Sequence, residues 1–278
     1  MVPRNETLLV RECFFNRKGD IMVEKWKIAL KEFLKNYEEN DDVIGAILCG
    51  SYANDTYNES SDIDVYMVLK EGTDYYMKGC TESNSYLIEY FMNTKTGIKN
   101  YMEKEFNNGK HSTTTMFAYG KIIYDLEGVV KELQDLALEY IDKPFNDITA
   151  KKLDINNYHV WDRLDELKTS LKEERLDFNK LYYSLLDELY NIYAEYLSIP
   201  KLPNTKVYRI LTNEEYRKKS HVFKLPEKEF IDLYLKCYED DKPDTMLKNI
   251  SNLINYYYEK QGGFNIRTFE LKTERNDY

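Results

Sequence analysis

The feature that most constrains this chain is an apolar run of seven residues, Val43-Ile44-Gly45-Ala46-Ile47-Leu48-Cys49, which stops abruptly at Gly50-Ser51 and follows Asp41-Asp42. A short, aliphatic, partly β-branched run bracketed by turn formers reads as a central strand covered on both faces. Residues 62–69 and 86–92, rich in Ile, Val, Tyr and Phe, are further strand candidates, and residues 121–124 make a shorter one. The stretch between the second and third strands reads as a polar connection containing Gly72 and Gly79. Around these strands lie helical patterns. Met22, Trp26, Leu30, Phe33, Leu34 and Tyr37 recur at spacings of three and four, which predicts an amphipathic helix near 20–38. Residues 97–106 and 129–140 predict two more. The first half is therefore mixed α and β.

Beyond about residue 145 the strand signal vanishes and long helical stripes replace it. Leu176, Leu181, Leu185, Leu189 and Ile192 mark one helix that ends by Ile199-Pro200; residues 230–238 and 246–258 mark two others, the latter stopped by Gly262-Gly263. The expected architecture is α+β: a small mixed sheet flanked by helices in residues 1–145, followed by an α-helical bundle in residues 146–278. The residues from Lys272 onward read as a frayed tail. Gly and Pro number 11 and 6, well below average usage, which disfavours a turn-dense β-sandwich.

Composition excludes several functions. The longest uncharged apolar stretch, residues 43–51, is far short of the roughly 20 residues that cross a bilayer. The N-terminus has an acid at Glu6 and no apolar core before a cleavage site, so a cytoplasmic address is expected. Cys13, Cys49, Cys80 and Cys237 stand apart and read as reduced thiols. Residues 1–150 hold 17 basic and 26 acidic side chains, which accounts for nearly all of the net charge of −10. Nucleic-acid binding needs the opposite balance. From Asn36 to Leu69 there are eight acids and no Lys or Arg, so a small cationic visitor is the easier partner.

The chemistry is concentrated in Cys49-Gly50-Ser51-Tyr52-Ala53-Asn54-Asp55 and, with ten residues intervening after Ser51, Asp62-Ile63-Asp64-Val65. Residues two apart on a strand share a face, so Asp62 and Asp64 can present carboxylates together while Ile63 and Val65 pack behind. Two converging carboxylates repel, and magnesium, which takes oxygen ligands, relieves that repulsion. Gly50 lets backbone approach a ligand closely, and Ser51 offers a hydroxyl and an amide at the start of a short helical turn, together a seat for phosphate. Glu89 lies in an apolar strand, where an unpaired carboxylate is costly. Beside the Asp62-Asp64 strand it would complete a three-acid face able to hold two metal ions for in-line displacement.

These residues resemble the signature of the DNA polymerase β-type nucleotidyltransferase superfamily, most closely over residues 40–92 and extending to about 145. The resemblance implies transfer of a nucleoside monophosphate from a nucleoside triphosphate with Mg2+. It implies that Asp62 and Asp64 are metal ligands, that Glu89 is a third ligand or the general base, and that Gly50 and Ser51 hold the triphosphate. The helical half is similar in kind to that of the antibiotic nucleotidyltransferases acting on aminoglycosides and lincosamides, where it helps bind the acceptor.

Other candidates are softer. Lys201, Lys206 and Arg209 cluster in a basic segment leading into a helix, where Lys206 and Arg209 are candidate phosphate contacts against the reading of an exposed basic connector. Asp187 or Glu188 could serve as base for an acceptor hydroxyl, although solvated helix acids look the same. His111, His159 and His221 read as surface or packing residues. The tyrosines at helical spacing, Tyr182, Tyr183, Tyr190, Tyr193 and Tyr196 among them, read mostly as core.

The reading is a magnesium-dependent nucleotidyltransferase moving AMP from ATP to a hydroxyl of a small acceptor, an aminoglycoside or lincosamide being the model. The alternatives are a protein or RNA acceptor, or a non-catalytic interaction protein that retains the fold. Acceptor, base preference and the choice between monomer and homodimer stay open at this stage.

Overall fold

The computed structural model describes residues 24–272. They divide into two compact units, one running to Lys143 and including Lys218–Val222, the other made of Pro144–Arg217 and the residues from Phe223 on. The architecture is the expected α+β arrangement, a five-stranded sheet with helices around it and a helical region.

In the first unit, α1 (Lys25–Lys35) buries Trp26, Ala29, Leu30, Phe33 and Leu34 along one stripe. The part of the expected helix before Glu24 lies outside the described residues. Strand β1 (Val43–Cys49) is buried at every position and is followed directly by α2 (Gly50–Ala53), a single helical turn. Strands β2 (Ile63–Leu69), β3 (Met77–Ser83), β4 (Tyr86–Thr94) and β5 (Lys121–Asp125) complete a sheet of order β3-β4-β2-β1-β5. Only the β2–β4 pair is parallel. Helices α3 (Lys95–Asn107), α4 (Ser112–Ala118) and α5 (Val129–Asp142) complete the unit. Thr94 caps α3 by accepting a hydrogen bond from the Gly97 amide at 3.2 Å.

Alternation along the strands separates two cores. Leu48, Ile63, Val65, Met67 and Ile88 pack with the apolar stripe of α1. Ile47, Cys49, Tyr66 and Val68 pack with Ile98 and Met102 of α3, Phe117 of α4 and Val130 and Leu133 of α5. Each face buries enough apolar area that truncating one fully buried residue, such as Leu30, should cost about 2–5 kcal/mol.

One expectation needs correction. The stretch read as a polar connection contains β3, antiparallel to β4 and joined to it by Asn84 and Ser85. Both turn residues have positive φ, 47° and 66°, the conformation of a two-residue hairpin whose twist matches its strands. Strand β3 lies at the sheet edge with neither face buried, so its sequence shows no apolar alternation. Opposite Tyr90 in the register sits Gly79, where a Cβ would come within 2.5 Å of that ring.

The second unit is built from α6 (Ala150–Lys172), α7 (Phe178–Tyr196), α8 (Asn204–Thr212), α10 (Lys228–Lys236) and α11 (Pro243–Lys260); α9 (Glu214–Lys219) lies where the chain re-enters the first unit. The core draws Val160, Leu164 and Leu167 from α6, Leu185, Leu186, Leu189 and Tyr193 from α7, Phe230 and Tyr234 from α10, and Ile250, Leu253, Ile254 and Tyr257 from α11. Of the tyrosine stripe, Tyr182, Tyr190 and Tyr193 are core, Tyr196 is half-buried and Tyr183 is exposed; Tyr182 donates its buried hydroxyl to the Cys237 carbonyl at 2.8 Å. Among the described residues no helix is long and apolar enough to cross a membrane.

Candidate active site

The acidic residues singled out by spacing converge. In the ladder, Cys49 faces Asp64 across β1–β2 and Asp64 faces Glu89 across β2–β4, so one row of the sheet carries both carboxylates. Asp62 immediately precedes β2 and shares the face of Asp64. One carboxylate oxygen from each of Asp62, Asp64 and Glu89 lies within 4.8 Å of the others, and all three residues are half-buried. Ile63 and Val65, on the opposite face, have no exposed surface, so the strand cannot roll to separate the acids.

Gly50 closes one side. Its φ of +63° lies in the left-handed region, and a Cβ there would fall 1.9 Å from Oδ2 of Asp64. Both the backbone conformation and the close approach require glycine. Behind it, Cys49 is fully buried. Burial, reinforced by the charge of Asp64, pushes its thiol far above the usual range. The thiol therefore stays protonated and donates to the Ile47 carbonyl, adding no negative charge to the centre. Ser51 follows Gly50 in α2, and its carbonyl accepts the Thr56 amide at 3.0 Å.

A residue missed by sequence reasoning reaches the centre from the edge strand. Lys78 places Nζ 2.9 Å from Oε1 of Glu89 and 4.9 Å from the centre of the Phe91 ring. Lys78 faces Phe91 in the β3–β4 register, and Glu89 is its diagonal neighbour, within reach of a long side chain. The hydrogen bond and charge of Glu89 raise the Lys78 pKa. The Asn84-Ser85 turn before an apolar strand was the signal that could have revealed β3 and so this lysine.

The softer candidates lie in the second unit or pack locally. Lys206 and Arg209 are on α8, both exposed, with the Arg209 guanidinium 3.7 Å from the centre of the Tyr216 ring. Lys201 pairs with Glu195 at 3.2 Å. On α7, Glu188 is gripped by Arg163, with Nη2 at 2.6 Å and Nε at 3.2 Å, and is joined by His159 at 3.1 Å. Burial works against its ionisation, but the Arg163 hydrogen bonds and charge, helped by His159, prevail and hold its pKa low. A carboxylate with both oxygens so engaged is an ion-pair partner. Its neighbour Asp187 has a raised pKa because burial outweighs a hydrogen bond with Asn204. His221 stacks on Tyr119 with ring centres 3.7 Å apart, a packing role.

Three acids on one sheet face beside a glycine turn are the parts of a centre that moves nucleotidyl groups. A family-wide sequence profile described as a nucleotidyltransferase domain matches residues 29–219. The chain belongs to this nucleotidyltransferase family, and its activity is nucleotidyl transfer. No curated protein matches it. Among solved structures, it is similar to a nucleotidyltransferase-like protein from Exiguobacterium sibiricum 255-15. The two share 9% identity over 84% of this chain and 76% of that one, at a TM-score of 0.43, a likeness too slight to add to the family assignment.

Proposed function

We propose that the protein transfers AMP from ATP, with Mg2+, to a hydroxyl of a small cationic acceptor of aminoglycoside or lincosamide type. The observation that carries this reading is the convergence of Asp62, Asp64 and Glu89 beside Gly50. Three carboxylate oxygens within 4.8 Å of one another are a hard, anionic donor set that suits magnesium. When bound, the ion neutralises charge on the transferring phosphoryl group.

The rest falls to the chain itself. Gly50 lets the phosphate-binding turn sit directly against Asp64, and Ser51 offers its hydroxyl and amide to the β- and γ-phosphates. Lys206 and Arg209 are the cations proposed to meet the triphosphate. The acceptor oxygen bonds to the α-phosphorus as the bond to the bridging oxygen breaks, pyrophosphate departs, and the hydroxyl proton passes to a carboxylate such as Glu89. Residues 1–145 would be the catalytic domain and 146–278 the acceptor-binding one. The eight acids between Asn36 and Leu69 favour a cationic acceptor by electrostatic attraction and oppose a nucleic acid.

The test is pyrophosphate release with ATP, GTP, CTP and UTP plus Mg2+, against aminoglycosides, lincosamides and a protein mixture. Release that requires ATP, Mg2+ and a cationic small molecule is the expected result. Release that requires protein, or none with any small acceptor, overturns the acceptor assignment.

A further inference from the structure

The acidic centre contains its own cation. Lys78 projects from an exposed edge strand and sets its ammonium 2.9 Å from Glu89 and 4.9 Å from the centre of the Phe91 ring. Its side chain is 64% exposed whereas that of Glu89 is 23% exposed, so the lysine can swing into solvent while the carboxylate stays in the row with Asp64.

Resting on the reading of these three acids as the metal site, we propose that Lys78 is a resident counter-ion of that site, which competes with a divalent ion for Glu89 and must leave it for the metal to enter. The reasoning is electrostatic. Three carboxylates with oxygens within 4.8 Å repel one another, and a monovalent ammonium at one of them relieves part of that repulsion. An arriving dication must displace the ammonium from Glu89 and meets its positive charge near the site. The rival role, a strut that orients Glu89 for the metal, makes the opposite prediction, because removing a strut weakens binding.

The sign of one measurement separates them. Mn2+ binding to the full chain, without nucleotide, is followed by the loss of the free-ion electron paramagnetic resonance signal. Lys78→Met keeps an unbranched side chain and deletes the charge. It should tighten Mn2+ binding roughly two- to fivefold, the scale of an exposed ion pair. Lys78→Arg, which keeps the competing charge, should bind no tighter than the parent. Lys35→Met, which removes an exposed lysine paired with Glu32 on α1, should also leave binding at the parent value. Unchanged or weaker binding in Lys78→Met overturns the competition and leaves the metal site standing, as does an equal gain in Lys35→Met. A parent protein that binds no Mn2+, or binds it equally after Asp64→Asn, overturns the metal site and this inference together.

Discussion

Gly50→Ala separates what a residue costs the fold from what it costs the chemistry. Alanine at φ +63° pays a left-handed penalty of about 1–2 kcal/mol, which in a chain of this size lowers Tm by roughly 2–8 °C. Its Cβ would also fall 1.9 Å from Oδ2 of Asp64, nearer than carbon and oxygen tolerate, so that carboxylate must retreat by about 1 Å. Cγ and Cβ of Asp64 would lie 2.9 and 3.2 Å from the added Cβ as well, so the turn or β2 must also shift, a cost to stability beyond the left-handed penalty. A displacement of that size in a reacting centre costs on the order of 10²-fold in rate. Gly72 supplies the control. Its φ is +90°, yet nothing lies within 4 Å of a Cβ built there. Gly72→Ala should therefore lose only the left-handed penalty and keep turnover within about twofold. Thermal unfolding and Mg2+-dependent pyrophosphate release on both variants, at a temperature where both are folded, give the comparison. Equal turnover in the two variants would refute the reasoning, because it would mean that the Asp64 position does not matter to transfer.

Asp64→Asn keeps the size of the side chain and removes its charge; turnover should fall by at least about 10²–10³-fold with an unchanged circular dichroism spectrum. Glu188→Gln breaks the Arg163 pair and should cost about 1–2 kcal/mol in urea unfolding, with turnover per folded molecule unaltered. Burial lowers the His111 pKa from 6.5 to about 4, so between those values the unfolded chain binds a proton that the folded chain refuses. Stability should consequently decline as pH falls from 6.5 toward 4, and His111→Gln should flatten that slope in urea midpoints measured across the range.

The centre was legible because its parts follow local rules. A buried strand such as β1 announces itself by an unbroken apolar run, and the alternation of Asp62, Ile63, Asp64 and Val65 fixes which side chains share a face. That Glu89 joins them depended on β4 lying beside β2, a pairing that composition cannot encode but that the cost of an acid in an apolar strand made reasonable. Lys78 was illegible for the converse reason. An edge strand with both faces exposed carries no hydrophobic period, and its register comes from backbone hydrogen bonds and the Asn84-Ser85 turn. Glu188 shows the same limit in a helix. Its position on α7 was plain, whereas its capture by Arg163, 25 positions earlier, depends on how α6 and α7 cross.

The parallel ladder between β2 and β4 dictates where this chain can be lengthened. Asp64 and Glu89 face each other in a run of seven matched pairs from Ile63–Ile88 to Leu69–Thr94. Deleting one residue from β4 would turn Glu89 to the α1 side and bring an apolar neighbour to the acidic row, because strand faces alternate. The exposed turn at Glu71-Gly72 lies outside every pairing, so extra residues spliced there leave the register untouched. A peptide tag or a fluorescent domain belongs at that turn, and the same insertion a few residues into β4 would silence the protein while leaving most of its sequence intact.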